Sequence, residues 1–105
     1  MLPLLTSKQA KALRGNSLRD EMKLSWAEQA WEDYLYWQKT DQKILRQINR
    51  IVLETKRNPF EGIGDPEPLR YNWKGYWSRR INKEHRFIYK AKKDELLIAQ
   101  CRYHY

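Results

Sequence analysis

The sequence contains one cysteine and no long apolar run, and each shortage excludes a class of protein. Cys101 has no partner within the chain, so a scaffold held by intrachain disulfides is excluded. No stretch approaches the roughly 20 apolar residues that a membrane-spanning helix needs, so a transmembrane protein is excluded as well. The chain does not open on an apolar signal region with a cleavage site, and a single thiol suits a reducing compartment. We therefore expect a cytoplasmic location and no membrane partner.

Apolar and aromatic residues are abundant enough for a folded core. They make up 41% and 13% of the 105 residues, and five of the aromatics are tryptophan. Disordered chains lack this content, and the length suits one compact domain. Residues 22–105 carry the regular patterns of that domain. Residues 1–21 fit a core poorly, and we treat them as an N-terminal extension of unknown role.

Positive charge is concentrated in the last third of the chain. The net charge is +8, and residues 70–105 hold ten Lys and Arg against three Asp and Glu. The same segment contains both histidines and eight aromatic residues. Bases interleaved with aromatics are typical of surfaces that bind a phosphate backbone and stack on unpaired bases, as in single-stranded RNA. A solvated basic face is the alternative, because charge alone does not specify a ligand.

The first half of the domain has the pattern of a short strand followed by two helices. We predict a strand over 22–26, with Ser25 as N-cap of a helix over 27–38, because Glu28 follows at the capping-box spacing. Asp41 is predicted to cap a second helix over 42–57. Each helix has an apolar stripe that should face the core: Trp31, Tyr34 and Leu35 in the first, and Ile44, Ile48, Ile51, Val52 and Thr55 in the second.

The second half changes from helical to strand periodicity after a proline-rich segment. Residues 58–68 hold three of the four prolines and two of the four glycines, so we expect a loop without regular structure. Alternating residues then predict strands over 76–81, 85–91 and 95–103, joined as a meander. The expected fold class is α+β, with a short strand and two helices packed on an antiparallel sheet.

The basic third contains the residue types that RNA cleavage requires. The 2′-hydroxyl of RNA is its own nucleophile, so a base, an acid and cations at the phosphate suffice, without a metal. Glu67 is the nearby carboxylate, and His104 is the natural acid, with Tyr105 beside it to orient phosphate or stack on a base. The possible phosphate clamps are Arg70, Arg79, Arg80, Arg86 and Arg102. Taken alone, Arg79 and Arg80 read as a solvated pair, and His85 reads as a surface residue near a turn.

Seven short motifs together resemble one protein family. Residues 22–105 look like the YoeB branch of the RelE toxin superfamily, a resemblance carried by Trp26–Trp31, Asp33–Gln38, Asn58–Gly62, Pro66–Leu69, Tyr76–Ile81, Glu84–Arg86 and Cys101–Tyr105. The segment Pro-Glu-Pro-Leu and the ending Cys-Arg-Tyr-His-Tyr are its most specific parts. The resemblance implies a small microbial-ribonuclease-like domain of RelE type. Residues 1–21 have no counterpart in the family pattern.

The resemblance also implies an activity and a set of site residues. It implies the toxin of a type II toxin–antitoxin system, a ribosome-dependent endonuclease that cuts messenger RNA in the 30S A site and inhibits translation, without metal or cofactor. In this family pattern Glu67 is the general base, Arg86 stabilises the transition state, and His104 is the general acid. Tyr105 helps to position the substrate. Arg70 and Arg80 match substrate-binding positions, although Arg70 stands where the family can carry lysine.

The partners implied by the resemblance leave a second function open. They are messenger RNA on the ribosome, a YefM-like antitoxin, operator DNA reached through the antitoxin complex, and a second copy of the chain in a homodimer. An alternative to RNA cleavage is a non-catalytic module that binds the antitoxin and acts as an operator-DNA co-repressor. A catalytically silent homologue is disfavoured, because Glu67, Arg86, His104 and Tyr105 are all present.

Overall fold

The computed structural model describes residues 22–104, which form two helices and one five-stranded sheet. A single 3-10 turn, Tyr71–Trp73, precedes the third strand. The elements in chain order are β1 Lys23–Trp26, α1 Glu28–Thr40, α2 Gln42–Arg57, β2 Glu67–Pro68, β3 Trp77–Arg80, β4 Arg86–Ala91 and β5 Glu95–Gln100. This arrangement confirms the α+β prediction. Neither of the two described helices is long and apolar enough to cross a membrane.

The sheet has the order β1-β5-β4-β3-β2, and its two edges are built differently. Strands β3 to β5 pair antiparallel in a meander, as predicted, and the unpredicted strand β2 adds to β3, also antiparallel. Strand β1 instead joins β5 in parallel, from Lys23 opposite Glu95 to Trp26 opposite Ile98, so the sheet is mixed. Parallel neighbours need a long connection, and here both helices and the meander lie between the two strands.

Ser25 belongs to β1 and does not cap α1, contrary to the prediction. Its hydroxyl donates to the Glu95 carboxylate at 2.5 Å across the parallel strand pair, and this bond lowers the pKa of Glu95. The residue before α1 is Ala27, which has no side-chain cap. The Ala27 N–H donates to the carbonyl of Ile98 at 2.8 Å, so the sheet ladder continues to the residue where the helix begins.

Helix α1 is rotated relative to the predicted stripe. Trp31 is 47% exposed, and its ring stacks on Tyr34 at the surface, so the prediction of a buried Trp31 was wrong. The buried face comprises Ala30, Asp33 and Trp37. The apolar stripe was assigned to the wrong face because Asp33 lies on the inner face, and aspartate is usually exposed to solvent.

Helix α2 follows the prediction. It spans Gln42–Arg57, and the Asp41 side chain accepts hydrogen bonds from the N–H groups of Lys43 and Ile44. Its buried residues are Ile48, Ile51, Val52 and Thr55. They pack with Phe87, Tyr89, Leu96 and Ile98 of the sheet, so both helices lie against one face and leave the other uncovered by a helix.

Candidate active site

The strand register gathers three of the predicted site residues on the sheet face away from the helices. Glu67 lies opposite Ser78, and Ser78 lies opposite Ile88, so these side chains share a face. Arg80 comes two residues after Ser78 and is paired with Arg86. The backbones of Glu67 and Arg86 are separated by two strand spacings across the sheet, about 10 Å, and by two residues along the strand, about 7 Å. A glutamate and two arginines can therefore converge on one phosphate group.

Arg86 is held in place by the turn before β4. Only 8% of its surface is exposed, and Nη1 donates to the carbonyls of Asn82 at 2.9 Å, Lys83 at 3.3 Å and His85 at 3.2 Å. The backbone N–H of Arg86 donates to the carbonyl of Tyr103 at 2.9 Å. One edge of the guanidinium is thus fixed by the protein, and the chain's C-terminal segment runs directly beside it.

The C-terminal segment turns back over the start of β4. Strand β5 ends at Gln100, earlier than predicted: the Cys101 N–H donates to Asp33 on α1, and Tyr103 has a φ of +66°. The Tyr103 N–H donates to Nδ1 of His85 at 2.8 Å, and the His85 ring packs edge-on against Trp37 at 4.7 Å. His85 is half-buried and supports this segment, so the prediction of a surface role was wrong. His104 is the next residue and is exposed, whereas Tyr105 lies outside the described residues.

Cys101 anchors the C-terminal segment to α1. Its N–H donates to Asp33 Oδ2 at 3.1 Å, and its carbonyl accepts from Nε1 of Trp37 at 2.9 Å. The thiol lies 3.5 Å from the carbonyl of Ala30 and is fully buried. Burial, and then the negative charge of Asp33, raise the pKa of the Cys101 thiol far above its ordinary range. The buried Asp33 of α1 therefore positions a chain segment only three residues before His104.

Cys101 should react with iodoacetamide at pH 8 at least about 100-fold more slowly in the native protein than in the unfolded chain. The thiolate is the reactive species, and it forms only when the C-terminal segment leaves α1. The measurement is the mass-spectrometric rate of alkylation with and without guanidinium chloride. Similar rates in both states would show that the segment is not docked in solution.

Arg102 packs between aromatic rings. Its guanidinium carbon lies 3.5 Å from the ring centroid of Tyr36 and 4.5 Å from that of Tyr103. Its Nε is buried and lacks a hydrogen-bond partner among the described residues. The carbonyl of Arg102 accepts from Nε2 of Gln100 at 2.8 Å. These contacts assign Arg102 to holding the C-terminal segment, not to the phosphate-clamp role considered for it from the sequence.

Arg79 is fully buried, so it is neither a solvated residue nor a phosphate clamp. Its guanidinium donates to the carbonyls of Asn58, Glu61 and Ile63 at 2.5, 3.0 and 3.0 Å. Its Nε also donates to the hydroxyl of Tyr89 at 3.3 Å. The charge is satisfied by backbone dipoles of the proline-rich segment. Arg79 therefore determines the path of the chain that leads to Glu67.

The proline-rich segment contains a strand, contrary to the prediction. Glu67 and Pro68 form β2 on β3, and the N–H of Leu69 continues the pairing by donating to Tyr76 O at 2.9 Å. Gly64 makes this approach possible, with a φ of +80° and its carbonyl 2.6 Å from the N–H of Arg80. A Cβ on Gly64 would lie 2.9 Å from Cβ of Arg79. Proline density suppresses long strands, but a two-residue edge strand tolerates it.

The two predicted substrate-binding arginines lie towards opposite ends of β2. Arg80 is exposed near the end of β3, and Arg70 is exposed just after β2. Arg70 and Glu67 line an open groove of about 570 Å³, formed by residues 67–73.

Among residues 22–104, no group of three His, Cys, Asp or Glu side chains is placed to hold a metal ion.

Comparison with known sequences gives the same family along almost the whole described chain. Residues 26–105 match the family described as the YoeB-like toxin of bacterial type II toxin-antitoxin system. Toxin YoeB from Escherichia coli O6:H1 is 60% identical over 84 residues, which cover 80% of this chain and 100% of that protein.

Solved structures share the fold at high identity. A YoeB/ParE toxin from Agrobacterium tumefaciens is 48% identical, with a TM-score of 0.77 over 80% of this chain and 100% of its own. The YoeB dimer from Staphylococcus aureus is 44% identical, with a TM-score of 0.76 over 81% of this chain and 99% of its own. The matching chain of the Staphylococcus aureus YoeB-YefM complex is 44% identical, with a TM-score of 0.74 over 80% of this chain and 98% of its own. The chain belongs to the YoeB-like toxins of bacterial type II toxin–antitoxin systems.

Proposed function

We propose that this toxin is an endoribonuclease that cuts messenger RNA in the ribosomal A site and thereby inhibits translation. The observation that supports this most directly is the shared sheet face of Glu67, Arg80 and Arg86, with the segment that carries His104 packed at its border. A carboxylate, two guanidiniums and an imidazole are the groups that cleavage by the 2′-hydroxyl requires.

The chemistry divides among these residues as general base, cations and general acid. The Glu67 carboxylate takes the 2′-hydroxyl proton, and the resulting oxygen attacks the adjacent phosphorus. Arg86 and Arg80 stabilise the negative phosphorane, and Arg86 needs little reorganisation because its turn already fixes it. His104 donates a proton to the departing 5′-oxygen. The products are a 2′,3′-cyclic phosphate and a 5′-hydroxyl, and no step needs a metal ion.

The openness of the face explains why the ribosome would be required. Glu67, Arg80 and His104 are all exposed, and the groups are spread over roughly 10 Å of sheet. A flexible single strand would seldom adopt the in-line geometry on such a surface. A message fixed in the A site would already have lost that freedom. Arg70 and Tyr105 are assigned to holding the substrate.

The positive charge of the same face suits an antitoxin as well as RNA. YoeB of Staphylococcus aureus is seen both as a dimer and in complex with YefM. We infer that this chain dimerises and, in the cytoplasm, is covered by a YefM-like antitoxin whose acidic residues pair with its arginines, with operator DNA bound through the complex. The alternative, a non-catalytic antitoxin-binding co-repressor, needs the same basic face but no general acid.

Removal of His104 and Tyr105 tests the proposal and separates it from the alternative. Primer extension on a translated message should show cuts within A-site codons with the full chain and none with the shortened chain. The thermal unfolding temperature should stay nearly unchanged, because Cys101 and Tyr103, which remain in the shortened chain, bind the segment to α1, Arg86 and His85. A full chain that binds antitoxin but leaves ribosomal messages intact would favour the co-repressor.

A further inference from the structure

One aromatic side chain beside Glu67 is displayed to solvent in a strained conformation. Tyr71 is 91% exposed, and its φ is +56°. A bulky residue rarely adopts this left-handed region, and its persistence is more often tied to function than to packing. A ring this exposed contributes almost nothing to the core. Core packing of the ring therefore does not explain this conformation.

Backbone hydrogen bonds hold Tyr71 in this position. The N–H of Lys74 donates to the carbonyl of Tyr71 at 3.0 Å, and the N–H of Trp73 donates to that of Arg70 at 3.1 Å. The Trp73 ring packs edge-on against Tyr76 at 5.2 Å, and the Lys90 ammonium lies 5.5 Å from the Tyr76 ring. The exposed ring thus projects from a braced turn, so a ligand that stacks on it pays little ordering entropy.

Tyr71 lines the same groove as the proposed general base. The groove of residues 67–73 has the volume of a small-ligand site, about 570 Å³. Its lining offers two aromatic rings, Tyr71 and Trp73, together with the Arg70 cation and the Asn72 amide. Rings that stack and polar groups that bond in plane suit a flat heteroaromatic ligand, and an adjacent cation suits its phosphate.

We propose that this groove binds one unpaired nucleobase of the message, which stacks on Tyr71 and lies next to the scissile linkage. The proposal rests on the proposed function, because it takes the ligand of the Glu67 face to be RNA. Tyr71 then contributes to substrate binding and to the choice of nucleotide, whereas the proton transfers remain with Glu67 and His104.

Binding without cleavage tests this directly. In a His104→Gln background, a short oligoribonucleotide containing 2-aminopurine should lose fluorescence when the full chain binds it. Tyr71→Ala should weaken binding about 10-fold, as expected for the loss of one stacked base, whereas Tyr71→Phe should bind normally. An unlabelled competitor with an abasic site in place of that base should displace the fluorescent oligonucleotide equally well from the unaltered ring and from Tyr71→Ala. Trp31→Ala is the matched control, because Trp31 is an exposed aromatic on α1 and packs on the opposite sheet edge.

Cleavage mapping separates this inference from the proposed function. With His104 intact, Tyr71→Ala should still cut ribosomal messages but with an altered preference for the nucleotide at the cut. If the full chain cuts and Tyr71→Ala cuts with the same pattern, the groove proposal fails while the nuclease stands. A uniform loss at all codons would contradict a message-base site. Weaker antitoxin binding with both RNA measurements unchanged would also overturn it, in favour of a peptide ligand.

Discussion

Arg79→Met should destabilise the domain by about 3–5 kcal/mol, one of the largest effects of any single substitution. Methionine fills a similar volume but removes the donor from the part-buried bonds to the carbonyls of Asn58, Glu61 and Ile63. Each unsatisfied group costs about 1–3 kcal/mol, and loss of one partner from a buried charged network is expensive as a whole. The free energy of unfolding is measured by tryptophan fluorescence in urea.

Arg80→Met is the matched control for this prediction. The neighbouring guanidinium is exposed, so its loss should change stability by no more than about 0.5 kcal/mol. Arg79→Lys should fall close to Arg79→Met, because one ammonium cannot replace a fork that serves three carbonyls. Equal urea midpoints for Arg79→Met and Arg80→Met would contradict a stabilising role for the bonds from Arg79 to the three carbonyls.

The different burial of Arg79 and Arg80 could not be predicted from the sequence. Strand alternation places two adjacent residues on opposite faces, but it does not say which face a loop will cover. The segment 58–64 folds over Arg79 and leaves Arg80 exposed. Among residues 22–104, Arg79 binds carbonyls and a hydroxyl but no carboxylate, so it has no charged partner that a sequence pattern could reveal.

The buried face of one helix could be predicted from the sequence, and that of the other could not. Helix α2 was predictable because Asp41 is an ordinary cap and the apolar stripe is buried as written. Helix α1 was not, because its inner face includes Asp33, whose Oδ2 accepts a hydrogen bond from the distant N–H of Cys101. Contacts over 68 positions of sequence leave no local signal. The same contact docks the C-terminal segment, so the misread helix is the one that helps to place His104.

The candidate site was predictable in its residue types but not in its support. Family resemblance picked out Glu67 and Arg86, and the register then put both on one face. The residues that hold them were missed. His85 reads as a surface residue in the sequence but accepts a hydrogen bond from Tyr103, and Gly64 looks like ordinary loop punctuation.

Glu67→Gln and His104→Gln should each lower A-site cleavage by roughly 10²–10⁴-fold, since each removes one proton transfer. Both proteins should unfold at the temperature of the unaltered chain, because both side chains are exposed. Glu32→Gln is the matched control: Glu32 is an exposed glutamate on α1, away from the candidate face. The double variant should be little worse than the slower single one, because the two groups act in one reaction.

A message with sulfur in place of the 5′-oxygen at the cut distinguishes the base from the acid. A thiolate leaves without protonation, so the substrate no longer needs the His104 proton, while the 2′-hydroxyl still has to be deprotonated. His104→Gln should therefore recover most of its lost rate on this message, and Glu67→Gln should recover little. Equal recovery in both variants would mean that the roles are wrongly divided, and recovery in neither would place the loss in binding. This comparison assigns each proton to one side chain, which a loss of activity alone does not do.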